Sequence, residues 1–432
     1  MARTDWFVND RFGMFIHFGL SAIPARDLSW PMCWERIPTR QWREYLPEFN
    51  PDLGGPREWV RMAKRCGARY CVMTVKHHEG FCLWDSQLTD YTSVKAPGCG
   101  RDLAREFVDA CRDEGIRPGF YLSLIDWDHP DYTLDHFHPE RDDAASAARP
   151  RQWSRYVDYL HAQARELLTN YGTIDVLWLD FSYQDSSAHG NPKSGEAWRA
   201  DEMVALVRSL QPGILIDNRL VAGHEDPSAT AKHGDFSTPE QVIPPEGVRD
   251  AAGQAKVWET CMTLGDNWGY SAEDRNFKTP AAAVRMLIEC VAKGGNLLLN
   301  IGPNARGVVR PQEAAAYAAI GDWLVVNGAA IHGAGPAVVG GALLPKPQWG
   351  WYTRRGDVLY AHLLERPAGP IPLLGLGGKI RAARWLHDGA EIRLGKTWNA
   401  VRGDEHEVIN PKRADLPDPI ASVVALHLHP GL

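Results

Sequence analysis

Seven short apolar runs, at residues 11–19, 69–78, 117–123, 175–181, 213–219, 256–260 and 296–301, are separated by segments long enough to hold a helix. Where those segments show a period it is helical: Leu103, Phe107 and Cys111 recur once per turn, as do Trp153, Tyr156, Leu160, Ala164, Leu167 and Leu168. A strand that must pass through a helix before the next strand can rejoin the sheet only in parallel. The order therefore predicts a parallel sheet with helices on its outside. Seven runs, an eighth candidate at residues 330–333 and a last helix over 312–326 favour an α/β fold closed as an irregular (β/α)8-like barrel. Beyond residue 335 the pattern changes to short runs at 357–363, 380–386 and 422–429 between Gly and Pro clusters, without helical period. We read residues 1–334 as the barrel, carrying any catalytic site, and residues 335–432 as a C-terminal antiparallel β-sandwich.

Composition narrows the class. A net charge of -7 without basic clusters argues against nucleic acid or an anionic membrane as partner. No run approaches the ~18 apolar residues of a membrane span, and the N-terminus lacks the apolar core of a secretory signal, so a cytoplasmic protein is expected. The eight cysteines are scattered without a Cys-x-x-Cys pair, which fits reduced core thiols better than a disulfide framework or a zinc knuckle. The chain carries 17 Trp and 16 His, more than a core requires, and Trp beside polar side chains is common where sugar rings stack.

The polar residues gather at the ends of the runs. In 175–181, strand alternation puts Val176, Trp178 and Asp180 on one face and Leu177 and Leu179 on the other. If the leucines pack on helices, Trp178 and Asp180 point into a barrel mouth: an apolar platform beside an anionic group, suited to holding a sugar and attacking its anomeric carbon. An Asp at this position also suits a helix cap. The first run places Gly13, Phe15 and His17 on one face. The second ends in His77-His78, and both can reach one ligand only if the strand ends or bulges there, which Glu79-Gly80 allows. The polar loop over residues 126–150 is of a length that usually covers a site. Glu259, in Trp258-Glu259-Thr260, reads as the tip of a further strand and so as a hydroxyl-binding or acid/base candidate.

Four separated motifs carry a resemblance: Arg11 to Gly19; Lys76-His77-His78-Glu79-Gly80 running on to Asp85; Leu177-Trp178-Leu179-Asp180; and Gly295 to Pro303. Together, and in this order, they resemble the α-L-fucosidases of glycoside hydrolase family 29 over essentially the whole chain. The resemblance implies a retaining exo-α-L-fucosidase that releases terminal α-L-fucose from a fucosylated glycan or small fucoside by double displacement, without cofactor or metal. It places the nucleophile on Asp180 and the acid/base on Glu240, in the loop Asp235 to Glu240, where an adaptable backbone suits a proton shuttle. It makes His17, His77, His78 and Arg219 ligands of the sugar, Trp178 and Trp268 its aromatic walls, and adds Trp34, Tyr121 and Glu259 to the binding set. Two positions depart from the family pattern: Cys33 stands before Trp34 where Glu is usual, and Leu122 follows Tyr121 where a second Tyr is common.

The same residues admit other readings. His17, His77, His78 and Asp180, with the His-x-His of Asp135-His136-Phe137-His138, could belong to a metal-dependent barrel hydrolase. A fucose-binding protein without catalysis and a glycosidase for a related sugar such as α-L-galactose are further alternatives. Trp349, Trp351 and Trp398 could serve carbohydrate binding in the sandwich, against a purely structural role for that domain. A homo-oligomer is compatible with the sequence.

Overall fold

The computed structural model describes residues 2–183, 193–221, 233–365, 369–395, 406–409 and 416–432. Its centre is a parallel sheet of seven strands: β1 (Phe12–Ile16), β2 (Tyr70–Lys76), β3 (Arg117–Ser123), β4 (Val176–Asp180), β5 (Leu215–Ile216), β6 (Glu259–Met262) and β7 (Asn296–Ile301). They pair in the order β5-β4-β3-β2-β1-β7-β6. The gap between the outermost two is bridged by residues 236–240, through parallel bridges from Phe236 to Asp217, from Ser237 to Trp258 and from Glu240 to Cys261. Backbone bonds fix this segment: Asp235 N donates to Ile216 O (2.7 Å), Glu259 N to Ser237 O (2.9 Å) and Gln241 N to Cys261 O (3.0 Å). Residues 236–240 thus take the eighth place, between β5 and β6. The candidate at residues 330–333 is not a strand; the last barrel helix, Pro311–Asn327, runs into a 3-10 turn over Gly328–Ala330.

Alternation along the strands separates two apolar clusters. Val176 and Trp178 join Phe15, Tyr70, Tyr121, Phe236 and Leu298 inside the ring, while Leu177 and Leu179 join the helices outside it. Helix Trp153–Asn170 presents Tyr156, Val157, Leu160, Ala164, Leu167 and Leu168 to that outer layer, as the one-face spacing of these residues requires. The elements are bounded by local chemistry. Asp102 caps helix Leu103–Glu114 by accepting from Arg105 N (2.8 Å), and Gly115, at φ +65°, ends it in the left-handed conformation that glycine adopts without strain.

The C-terminal region is antiparallel throughout. One sheet runs in the order Gly350–Arg355, Val358–Leu363, Ser422–Leu428, Ile380–Trp385, Glu391–Ile392; a second joins Ile371–Leu374, His406–Ile409 and Leu394–Gly395. Leu359, Leu363, Val424 and Leu426 from the first meet Ile371, Leu373 and Ile409 from the second in one core. The sandwich is tied to the barrel by Trp323 Nε1 donating to Ala421 O (2.8 Å) and Arg285 donating to Leu364 O (2.9 Å). Two of its tryptophans are not free platforms: Trp349 is buried in the sandwich core, and Trp351 lies under the ammonium groups of Lys293 and Lys346. Trp398 lies outside the described residues. All eight cysteines are free thiols. No described helix is long and apolar enough to cross a membrane.

Candidate active site

The C-terminal ends of the strands place their polar residues on one rim, the face on which barrel enzymes build their sites. Asp180 ends β4, and Arg219 follows β5 by three residues. Glu240 sits at the end of the bridging segment, pinned opposite Cys261 rather than carried on an adaptable loop. One guanidinium nitrogen, Arg219 Nη1, lies 3.0 Å from Asp180 Oδ1 and 2.7 Å from Glu240 Oε2. Arg219 is itself held by Nε to Thr238 Oγ1 (2.9 Å), by Nη2 to Thr238 O (3.1 Å) and by its face over the Trp178 ring at 4.5 Å. That side chain is buried, so its charge acts on both carboxylates with little solvent screening. The Tyr121 hydroxyl donates to the other oxygen of Asp180, Oδ2, at 2.7 Å. Beneath them, Asp217 Oδ1 accepts from Leu179 N (2.9 Å), and burial holds this carboxyl well above its ordinary value.

Three histidines face this pair from the opposite strands. His17 follows β1 directly; its Nδ1 pairs with Asn300 Oδ1 (2.6 Å), and its ring lies 5.0 Å from that of Trp268 and 4.3 Å from that of Phe15. β2 ends at Lys76, and the register against β3 slips between Thr74 and Lys76. That break lets His77 and His78 stand side by side, ring centroids 3.9 Å apart. Nδ1 of His77 pairs with Ser29 Oγ (2.6 Å) and Nδ1 of His78 with Ser123 Oγ (2.7 Å), which leaves Nε2 of each ring for a ligand. Burial lowers His17 to about 4 and His78 to about 3, and holds His77 well below its ordinary range. All three are neutral imidazoles at neutral pH, able to donate or accept a hydrogen bond but not to add charge.

Two of the sequence candidates lie elsewhere. Glu259 begins β6 instead of ending a strand, and it is fully buried at the floor of the barrel. It accepts there from the Tyr70 hydroxyl and from Trp178 Nε1 (3.4 Å), a layer below the paired carboxylates. Burial raises its carboxyl to about 8. Trp34 is 65% exposed at the outer edge, stacked on Trp30 at 5.2 Å, and meets the histidines only through Trp30, whose ring is 5.0 Å from that of His78. Trp268 does reach the site, held by Asn300 Nδ2 donating to its carbonyl (2.6 Å). His138, of the His-x-His pair, is committed within its own loop, where its Nδ1 accepts from Glu140 N (3.0 Å). Among the described residues no three or more His, Cys, Asp and Glu side chains gather as a metal site.

The residues that sequence reasoning missed are those that orient others. Asn300 was visible as a polar residue inside an apolar strand and Ser123 as the polar end of the run 117–123, whereas nothing marked Ser29. Phe181 was also missed. It follows Asp180 at φ +90°, a conformation few side chains adopt, and so packs its ring 4.9 Å from His78 and 5.4 Å from Trp30.

A parallel β/α barrel that joins two rim carboxylates through one arginine, among neutral histidines and indole walls, is the framework of a glycoside hydrolase. Residues 1–329 match the family model described as Alpha-L-fucosidase. Among solved structures, alpha-L-fucosidase isoenzyme 1 from Paenibacillus thiaminolyticus is 48% identical, with 99% of each chain covered and a TM-score of 0.92. A GH29 alpha-L-fucosidase from Bacteroides thetaiotaomicron, solved as a trapped covalent intermediate with 2-fluoro-fucosyl fluoride in a Glu-to-Gln mutant, is 30% identical; 99% of this chain and 96% of that one are covered, at a TM-score of 0.82. The plasma alpha-L-fucosidase of Homo sapiens is 30% identical over 353 residues, 76% of this chain and 68% of the human one. The chain belongs to the alpha-L-fucosidase family.

Proposed function

We propose that the protein is a retaining exo-α-L-fucosidase in which Asp180 is the nucleophile and Glu240 the general acid/base. The observation that carries this reading is the sharing of Arg219 Nη1 by the two carboxylates. The sum of its two contacts is the furthest apart the bridged oxygens can lie. That fits the ~5–5.5 Å between carboxyl groups in retaining enzymes and falls short of the ~6.5–9.5 Å that leaves room for a water in inverting ones.

In the first step Asp180 attacks the anomeric carbon while Glu240 gives its proton to the departing glycosidic oxygen, so the aglycone leaves neutral and fucose is bound as an ester of Asp180. In the second, Glu240 takes a proton from water, the water oxygen attacks the same carbon, and the Asp180 carboxylate is released. Two inversions return the starting configuration. The Tyr121 hydroxyl and Arg219 hold the two oxygens of Asp180 in place. His17, His77 and His78 supply neutral hydrogen-bonding groups for the sugar hydroxyls. Phe15 and Trp268, packed about His17, supply the apolar wall that a deoxy sugar with a methyl group requires. Hydrolysis of an aryl α-L-fucoside followed by NMR tests the reading: the first-formed sugar is the α-anomer. A β-anomer formed first would mean inversion and would reassign both carboxylates.

A further inference from the structure

Behind the sugar-facing histidines lies a carboxylate the mechanism does not use. Glu79 follows His78 in the turn after β2 and is 2% exposed; its buried Oε2 makes no close hydrogen bond, while the Ser29 hydroxyl and the residue's own backbone are the donors that act on the carboxylate. A buried carboxyl oxygen without a close donor costs stability. It is not there to balance a cation: the adjacent ammonium of Lys76 is engaged by Gln163 Oε1 (2.7 Å) and Asp126 Oδ2 (3.4 Å). What Glu79 does face is the back of His77. Its Oε2 lies 3.8 Å from His77 Nδ1, the nitrogen that Ser29 Oγ meets at 2.6 Å.

We propose that Glu79 is a positioning residue that acts through the Ser29 hydroxyl to set which tautomer of His77 meets the substrate hydroxyl. The argument rests on the reading of His77 as a sugar ligand and deepens it. When Glu79 is ionised it draws the Ser29 O–H toward itself, and Ser29 Oγ then accepts from Nδ1–H. The lone pair of His77 is left on Nε2, which accepts a hydroxyl proton from the sugar. When Glu79 is protonated it donates to Ser29 Oγ, the Ser29 proton turns to Nδ1, and the imidazole carries its hydrogen on Nε2, where it donates to the sugar oxygen. One proton is taken up, at Glu79. The imidazole stays neutral and exchanges its Nδ1 proton for one on Nε2 through solvent.

The surroundings suit a change of state near neutrality. Burial raises the Glu79 carboxyl to about 7, with Asp126 adding to the rise and the Ser29 hydroxyl and Lys76 opposing it. Burial, together with His78 and His17, keeps His77 from becoming cationic. The Tyr91 phenol, on which the Glu79 charge also acts, is held well above its ordinary value by burial and stays neutral.

The test is nitrogen-15 NMR of the histidine rings in the full-length protein, which distinguishes the two neutral tautomers without substrate. In the wild type His77 passes from Nε2–H to Nδ1–H with a midpoint near 7, never showing the imidazolium shift. In Glu79→Gln, whose amide does not titrate, it keeps one tautomer throughout. Ser29→Ala abolishes the transition with Glu79 intact, and decides the matter if Glu79→Gln does not fold. The wild-type KM for an aryl fucoside differs between the two limbs by about tenfold, the worth of one hydrogen bond. Glu79→Gln holds one KM value at every pH, with the pH profile of kcat unchanged. A tautomer that does not move with pH in the wild type, or that still moves in either variant, overturns the relay. A tautomer that switches while KM does not follow upholds the relay and removes His77 from the sugar-binding set.

Discussion

The rim and the floor of the barrel hold carboxylates a layer apart, in opposite settings. At the rim, Asp180 and Glu240 share the buried guanidinium of Arg219. At the floor, Glu259 has a phenol and an indole for partners and no cation. The first arrangement ties both carboxylates to one buried cation, which fixes where their oxygens point into the cleft. The second favours the neutral acid, raised to about 8 by burial, and makes Glu259 a hydrogen-bonded strut under Trp178. Residue type does not separate them; position along the strand does. Asp180 is the last residue of its strand and Glu259 the first.

The largest effect that sharpens this contrast belongs to the rim. If Asp180 is the nucleophile, as proposed, Asp180→Gly lowers kcat by on the order of 10⁴–10⁶. Azide entering the vacated face restores turnover as β-fucosyl azide, by a single inversion. Glu240→Ala costs about 10²–10⁴ on substrates with poor leaving groups and far less on activated aryl fucosides. Azide then opens the ester on Asp180 and gives α-fucosyl azide. If Glu259→Ala, rather than Glu240→Ala, showed this dependence on leaving group and azide, the assignment of floor and rim would be reversed.

The floor predicts a smaller effect, on stability. The folded barrel holds a proton on Glu259 up to about pH 8, while the unfolded chain releases it near the ordinary value of 4.5. Its contribution to stability is therefore complete below 4.5 and is lost as pH rises through 8. Glu259→Gln should show a shallower fall in denaturation midpoint across that window than the wild type, with kcat changed little. Equal slopes for the two proteins would place the proton elsewhere.

Much of this plan was legible in the sequence, because apolar runs and strand alternation are direct readouts of burial. Val176, Trp178 and the two leucines of β4 fall on the faces that alternation assigns them, and the seven runs became seven strands. The eighth place was not legible. Residues 236–240 contain no apolar run and include Pro239, which has no N–H to donate. The segment is defined by what its neighbours offer, such as Cys261 N donating to Pro239 O (3.2 Å). Glu259 was misplaced for a related reason: the run over 256–260 resembled a whole strand with Glu259 near its end, whereas pairing with β7 starts at Glu259 and continues to Met262. Within the site, the groups that reach inward were visible as polar residues at strand ends. Ser29 and Phe181 were not, since a serine in a loop and an aromatic at positive φ acquire meaning only from the ring each one touches.

The central claim, that Asp180 at the rim becomes covalently bound to the sugar, is tested most directly by trapping. A 2-deoxy-2-fluoro-fucosyl fluoride slows both steps but keeps a good leaving group, so the ester accumulates. The protein should gain the mass of one fluorofucosyl group, and peptide sequencing should find it on Asp180 in Val176–Asp180. A protein that turns the reagent over without an adduct, or carries the label on Glu240, Glu259 or any residue other than Asp180, would contradict the account.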